Sequence, residues 1–464
     1  MALDTLKTLS STSPRSKWTL LFIILVGGFL RIYKLDSESL WYDELHSIIP
    51  TAPAQSLASI IEYCKTDQPP FFFLYLHYFF KLFGYNEWIG RLASALVGIA
   101  AIPVMFALGK EIQNVKTGLF AAGLTSINYF HIYYSQELRF YSMAFLLSAL
   151  SFFFMVRIIN RNRGLDYVLY TFSTSALLYT HYYGVIIFVT QIVILGVVSL
   201  LPKKREPSFY YRSLAAGGVA ALSFIPWLPT LLQDTKIEQF WIPVPKIIFP
   251  ARYFFDYTGK DEVSALIFGI LILLFIAYFF KPENRKNAAY WMLVVWISVS
   301  LALPYFRSIF STPILHVRYT IVTLPAWILL IAIGFDGIRT KQYKYILALL
   351  VVVSSITNLF IPSGHFSRVD KPQLRETSKN LAEHVGRDSI PILSPIPWHF
   401  NYYLNGYGLE AKQFSLQGNL EHFWFLQSKT STEMDEEFQK LIEGYRINQE
   451  IVNIDARALL LEKK

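Results

Sequence analysis

The sequence predicts a polytopic α-helical membrane protein of about eleven transmembrane helices, ending in a soluble α/β domain. Three observations predict it. Of 464 residues, 53% are hydrophobic, 17% aromatic and only 16% charged, a balance that would not keep a soluble globular chain of this length in solution. The apolar residues are gathered into runs separated by short basic loops. After Ile361 the composition turns to Lys, Glu, Asn and Ser, and no later run is long enough to span a bilayer.

The elements follow in order. A polar, basic stretch through Arg15 and Lys17 runs straight into the first apolar span with no small-residue cleavage site behind it, which reads as a retained signal anchor. Apolar segments lie near 18–33, 91–109, 118–134, 140–156, 165–180, 184–201, 213–229, 263–280, 288–304, 320–335 and 345–361. Several are shorter than the roughly 20 residues that cross about 30 Å of hydrocarbon, and flanking aromatics extend them. With the amino end inside, every second connection is cytoplasmic. Those connections hold Lys110 and Lys116, then Arg157, Arg161 and Arg163, then Lys203, Lys204, Arg205 and Arg212, then Lys281, Arg285 and Lys286, and finally Arg339, Lys341 and Lys344. Cytoplasmic loops of membrane proteins carry this excess of cations, so the net charge of +9 reports topology and nucleic acid is excluded as a partner. Cys64 is the lone cysteine and forms no internal disulfide.

The run 69–83 decides the orientation of everything after it. At roughly 15 residues, with His77 and Lys81 inside it, it is too short to cross and reads as an interfacial helix. Were it a span, every later basic cluster would change sides. The expected organisation is a transmembrane domain over 1–361, with a first extracytoplasmic loop of about 34–90 carrying two helices on the membrane, and a soluble extracytoplasmic α/β domain over 362–464. In that tail an amphipathic run Leu374 to Val385, an extended Ile390 to Ser394, a helix-like run Phe438 to Tyr445 and an apolar Ala456 to Leu461 supply the elements.

Chemistry-bearing residues collect at the outward ends of the spans. Asp43 and Glu44 follow Trp41 and Tyr42 just beyond the first span, where ionisable groups meet water; Asp43 is equally a candidate N-cap for a helix starting at Glu44. Ser135-Gln-Glu-Leu-Arg-Phe-Tyr141 places Glu137, Arg139 and Tyr141 between the third and fourth spans, as functional groups or as a snorkelling ion pair. His181 lies in Thr180-His-Tyr-Tyr-Gly184, and Arg318-Tyr319 follows Pro313-Ile-Leu-His-Val317. His181 is equally a hydrogen-bonded member of the aromatic belt. The loop 233–262 carries Lys236, Trp241, Lys246, Arg252, Tyr253 and Tyr257, suited to lying over a lipid or to an ordinary amphipathic surface.

Arg31-x-x-x-Leu35, Trp41-Tyr-Asp-Glu44, Gln68-Pro-Pro70, Arg91-Leu-Ala-Ser94, Tyr134-Ser-Gln-Glu-Leu-Arg-Phe-Tyr141 and Tyr179-Thr-His-Tyr-Tyr-Gly184 together resemble the bacterial type C (GT-C) glycosyltransferases. The resemblance is to the branch related to dolichyl-phosphate-mannose protein mannosyltransferases and the lipid A aminoarabinose transferase, and it covers about 30–335. It implies a GT-C fold in a bacterial inner membrane. It also implies transfer of a sugar from a polyprenyl-phosphate donor to a lipid, glycan or protein acceptor on the extracytoplasmic side. A sugar phosphoester already has a good leaving group, so such an enzyme needs cations for the departing phosphate and one carboxylate to take the acceptor's proton. Asp43 is the candidate base, Glu44 orients it or shares the acceptor, and Glu137 is expected in the same pocket. The donor phosphate and lipid fall to Arg139, Tyr141, Arg318 and Tyr319. Asp67, Gln68 and His181 are further candidate substrate contacts. A single displacement would invert the anomeric centre.

No cofactor is required by these residues. A divalent metal ion is the one candidate, through Asp67, but Gln68 stands where that branch carries Lys, and no compact zinc-type spacing exists, so no metal ligand is assigned. Two other classes remain. A polyprenyl-diphosphate glycan ligase or polymerase would differ in its donor. A lipid-linked sugar transporter would show broken helices and midplane charges, whereas here the acids sit at span ends.

Overall fold

The computed structural model describes residues 13–200, 205–234, 241–385, 390–414, 420–428 and 443–464. Two compact units emerge: residues Met1–Tyr33, Pro53–Gly84 and Ile89–Ser367 form the first, and Lys34–Ala52, Tyr85–Trp88 and Arg368–Lys464 the second. Composition alone places the boundary at 361–362. Compactness places it at 367–368 and adds two stretches from the first loop to the second unit.

Each apolar run read from the sequence is helical in the first unit. Among the described residues, seven segments are long and apolar enough to cross a membrane: Glu87–Ile112, Tyr141–Arg161, Pro207–Gln233, Glu262–Phe279, Ala288–Phe310, Val317–Asp336 and Lys341–Phe360. The remaining runs form Pro14–Ile32, Val115–Ile127, Tyr129–Ser135, Gly164–Leu178 and Tyr183–Leu200. This is a multi-pass membrane protein, and Leu214, Leu266 and Leu349 show the exposed apolar faces that lipid requires. The run 69–83 forms a helix over Phe71–Phe83, 13 residues long, which at about 1.5 Å per residue spans only about 20 Å.

Polar side chains punctuate the apolar runs. Asn128 breaks the predicted run 118–134 in two: it ends Val115–Ile127, and its side chain accepts from the His131 N–H at 2.9 Å to start the next helix. Where helices pass closest the side chains vanish. A Cβ on Gly118 would collide with the Phe106 carbonyl oxygen, and one on Gly109 would meet the Gly118 Cα at 2.9 Å. Small residues at such crossings let backbones approach without a hydrophobic driving force.

Arg31 is the polar anchor of the opening helix. Fully buried, it donates to the carbonyls of Gly27 at 2.8 Å, Thr125 at 2.8 Å and Ser126 at 3.1 Å, and lies 2.6 Å from His131 Nδ1. Two of those carbonyls belong to the last turn of Val115–Ile127, which has no intrahelical donor for them. Arg31→Leu is therefore expected to strip several buried acceptors at once and cost about 3 kcal/mol. The check is the thermal unfolding midpoint in detergent, and an unchanged midpoint would show that water replaces the guanidinium.

In the second unit a five-stranded sheet consists of β1 (Ile392–Ser394), β2 (Lys412–Gln413), β3 (His422–Ser428), β4 (Tyr445–Asn453) and β5 (Ala456–Lys463), in the order β2-β1-β3-β5-β4. β1 runs parallel to β2 and β3; β5 runs antiparallel to both β3 and β4, with Asn453 opposite Ala456 across a tight hairpin. Phe423, Phe425, Leu459 and Leu461 form one core cluster. Helices Leu374–His384 and Pro397–Leu404 add buried Leu374, Leu381, Phe400 and Leu404. The expected helix-like run Phe438 to Tyr445 is corrected at its end: 438–442 lie outside the described residues, and Tyr445 opens β4.

The stretch 34–52 is stitched into this unit. Ser39 Oγ donates to the Pro372 carbonyl at 2.5 Å, the Leu40 N–H donates to Tyr403 Oη at 2.7 Å, and Glu38 accepts from the Asp370 and Lys371 N–H groups at 2.6 and 3.1 Å.

Candidate active-site cavity

The first unit contains a cavity of about 410 Å³ whose lining includes Asp67, Gln68, His181, Tyr183, Arg307 and Tyr319. Loop helices Leu57–Cys64 and Phe71–Phe83 shape one wall. They are held through a cluster of Ile60, Cys64, Phe73, Leu178, Phe224 and Trp227, and by the Phe71 N–H donating to the Tyr179 carbonyl at 2.8 Å. That fixes Asp67 and Gln68 beside the Thr180–Tyr183 turn. Tyr183 Oη, in turn, donates to the Ile314 carbonyl at 2.9 Å and ties that turn to the segment before Arg318.

Arg139 reaches Asp67 with both terminal nitrogens, at 3.2 and 3.4 Å, and its guanidinium covers Phe140 at 4.6 Å. Its backbone is set by Ser94 Oγ, which donates to the Arg139 carbonyl at 3.3 Å. Phe140 packs on His181 at 4.8 Å, and His181 on Tyr319 at 4.9 Å. Tyr141 and Tyr319 stack at 6.5 Å. Arg318 lies over Trp241 at 4.7 Å and over Tyr319 at 5.4 Å, a planar cation held against aromatic faces. Glu137, 1% exposed, is buried in the turn that carries Arg139. The structure thus brings Asp67, Gln68, Arg139, Tyr141, His181, Arg318 and Tyr319 together.

His181 is the most informative group. Its Nδ1 accepts from the Tyr183 N–H at 3.0 Å, so the neutral ring carries its proton on Nε2. That Nε2, like Gln68 Oε1, is buried without a hydrogen-bond partner among the described residues. Burial, then the charges of Arg139 and Arg318, push the His181 pKa down to about 3. The ring is therefore a neutral donor set in a cationic field. Because the unfolded ring titrates near 6.5, folding stability from this group is complete above about pH 6.5 and is lost as pH falls toward 3. His181→Gln is expected to flatten that loss, measured as unfolding midpoints between pH 7 and 4; an unaltered profile would show that His181 is solvated.

One residue of this cavity escapes a reading by motif: Arg307 is a lone cation near the end of the apolar helix Ala288–Phe310. The 233–262 loop is partly internal: Tyr253 and Tyr257 are buried and bond to Thr323 and Thr320, and Trp327 Nε1 donates to Tyr253 Oη at 2.8 Å. Lys236 lies outside the described residues.

Asp43 and Glu44 belong to the second unit. Trp41, not Asp43, is the N-cap of helix Tyr42–Ile48, so the capping alternative for Asp43 fails. Asp43 is half-buried, whereas Glu44 is fully buried and pairs with Lys371 Nζ at 3.0 Å. As to a divalent ion, Asp67 already spends both carboxylate oxygens on Arg139, and the described residues assemble no group of three His, Cys, Asp or Glu side chains that could hold a metal. The residues around Asp67 do not fit a metal site.

Residues 67–230, about a third of the chain, match the family model of dolichyl-phosphate-mannose-protein mannosyltransferase. No curated protein sequence matches the chain. Among solved structures, ArnT from Cupriavidus metallidurans in the apo state superposes with a TM-score of 0.64 over 97% of this chain and 98% of that one, at 13% identity. The chain has the GT-C fold. The same ArnT bound to undecaprenyl phosphate gives a TM-score of 0.62 at 14% identity, again over 97% and 98% of the two chains. The archaeal oligosaccharyltransferase AglB from Archaeoglobus fulgidus, in complex with an inhibitory peptide and a dolichol-phosphate, shares the GT-C fold at a TM-score of 0.55 and 10% identity, over 84% of this chain and 64% of that one.

Proposed function

We propose that this GT-C protein transfers a sugar from a polyprenyl-phosphate donor to an acceptor on the extracytoplasmic face of a bacterial inner membrane. The observation that carries the reading is the His181 Nε2 donor, buried and unpartnered on a cavity that also presents Arg307 and is flanked by Arg139 and Arg318. Neutral donor and guanidinium groups aimed at one place suit the oxygens of a departing phosphate, whose charge grows as the glycosidic bond breaks. Tyr141 and Tyr319 extend the aromatic wall toward the lipid carrier, and Gln68 Oε1 offers an acceptor to a sugar hydroxyl.

In the proposed step an acceptor hydroxyl oxygen forms a bond to the anomeric carbon as the carbon–oxygen bond to phosphate breaks. The bonding pair leaves with polyprenyl phosphate, and the acceptor proton passes to Asp43, inverting the centre. The assignment of Asp43 rests on the sequence resemblance. Glu44, enclosed against Lys371, acts by holding its helix rather than by touching an acceptor, and Glu137 supports the turn bearing Arg139.

The test is to purify the protein with bacterial lipids and identify co-purifying lipids by mass spectrometry. A polyprenyl monophosphate sugar is expected, retained less by Arg139→Ala. A diphosphate-linked oligosaccharide would replace the donor with that of a ligase, and the absence of any polyprenyl lipid would defeat the reading.

A further inference from the structure

The second unit has a pocket of its own, about 360 Å³ in volume, lined in part by Trp41, Tyr42, His399, Ser428 and Asp455. The size falls within the about 300–1,000 Å³ usual for small-molecule sites. Separate pieces of chain converge to build it: the start of helix Tyr42–Ile48, the first turn of Pro397–Leu404, the end of β3 and the β4–β5 turn.

Its walls are aromatic. Trp41 and Tyr42 meet edge to face at 4.7 Å, and His399 stacks on Tyr42 at 6.1 Å and 23°. Its polar groups are a hydrogen-bonded pair, His399 Nδ1 and Ser428 Oγ at 2.9 Å, and the Asp455 side chain, which the hairpin holds in the left-handed region at φ 52°. Burial, then His46, pushes the His399 pKa down to about 4, so the ring is neutral near pH 7. Asp455 is the acidic residue of the described lining.

Aromatic faces beside a carboxylate, a hydroxyl and an imidazole match one chemistry well. A pyranose ring sets its C–H face on an aromatic and donates hydroxyls to a carboxylate that can only accept. We propose that this pocket binds a sugar unit of the acceptor. The word acceptor rests on the glycosyl-transfer reading; sugar binding by the pocket does not. Asp43, the proposed base, is the residue after Tyr42.

The experiment uses the full chain in phospholipid nanodiscs free of sugar-based detergent. Saturation-transfer NMR is recorded with methyl glucoside, methyl mannoside and glucosamine. Saturation transfer to at least one of the three and at least tenfold weaker binding by Asp455→Asn are expected. Asparagine tolerates the left-handed backbone, so that variant keeps its hairpin. No transfer to any sugar, or unchanged affinity in Asp455→Asn, overturns the proposal. Adding monoglucosyl diacylglycerol to the nanodisc separates the sources: displacement of methyl glucoside identifies a lipid-borne sugar, and no displacement a soluble glycan. Undecaprenyl phosphate binding is measured in parallel and should be the same in wild type and Asp455→Asn. A wild type that binds glycoside but no undecaprenyl phosphate would sink the donor reading and leave this pocket standing.

Discussion

Asp43→Asn is expected to lower turnover by about 10²–10⁴-fold while the second unit stays folded. An amide cannot take the acceptor proton, and a loss of that size corresponds to about 3–5 kcal/mol of barrier. The helix-terminus effects are much smaller. Asp43 is not the helix N-cap, and a carboxylate in the first turn of a helix contributes only about 0.3–1 kcal/mol through the helix dipole. The neighbouring residue supplies the contrast. Glu44→Ala leaves Lys371, 11% exposed, without its buried carboxylate and should destabilise by about 3–5 kcal/mol. Turnover and thermal unfolding measured on both variants separate the roles. Asp43→Asn with near-normal turnover would remove Asp43 from the chemistry, and equal unfolding losses in the two variants would make both acids structural.

The second large effect is expected far from the cavity. Arg157 and Asp166 meet at 2.8 Å across the turn joining Tyr141–Arg161 to Gly164–Leu178, with side chains 4% and 0% exposed. Arg157 also lies over Phe153 at 5.5 Å. Asp166→Ala leaves a guanidinium buried without that carboxylate, and the loss should reach about 3–5 kcal/mol. The double change Arg157→Met with Asp166→Leu should recover most of it, because removing both charges removes the desolvation penalty along with the attraction. Unfolding in detergent of the single and double variants is the measurement. A single variant within about 1 kcal/mol of wild type would show that water or lipid headgroups reach Arg157.

Local signals in this chain were legible and distant ones were not. The amphipathic run at Leu374 becomes a helix, Ile392–Ser394 becomes a strand, and each long apolar run becomes helical, because hydrophobic period and length are properties of a window. The break at Asn128 does not show in the sequence because one polar side chain within an apolar stretch scarcely changes the run's character, although its capping chemistry decides the backbone. The assembly of 34–52 with the tail depends on pairs such as Lys371 and Glu44, 327 residues apart, and no window contains them. Around the cavity, Arg139, His181 and Arg318 could be named from their span-end positions. Arg307 and the unsatisfied His181 Nε2 emerge only from three-dimensional neighbours.

The clamp at Arg31 bears on how the chain is made. Its guanidinium sits in the opening helix, yet its carbonyl partners at Thr125 and Ser126 and the imidazole of His131 come 94 to 100 residues later. At about 5–20 residues per second, roughly 5–20 s of translation separate the cation from its acceptors. Throughout that interval the guanidinium has the Gly27 carbonyl of its own helix but lacks its other three partners, so the packing of the first helix is completed only when later segments arrive from the ribosome.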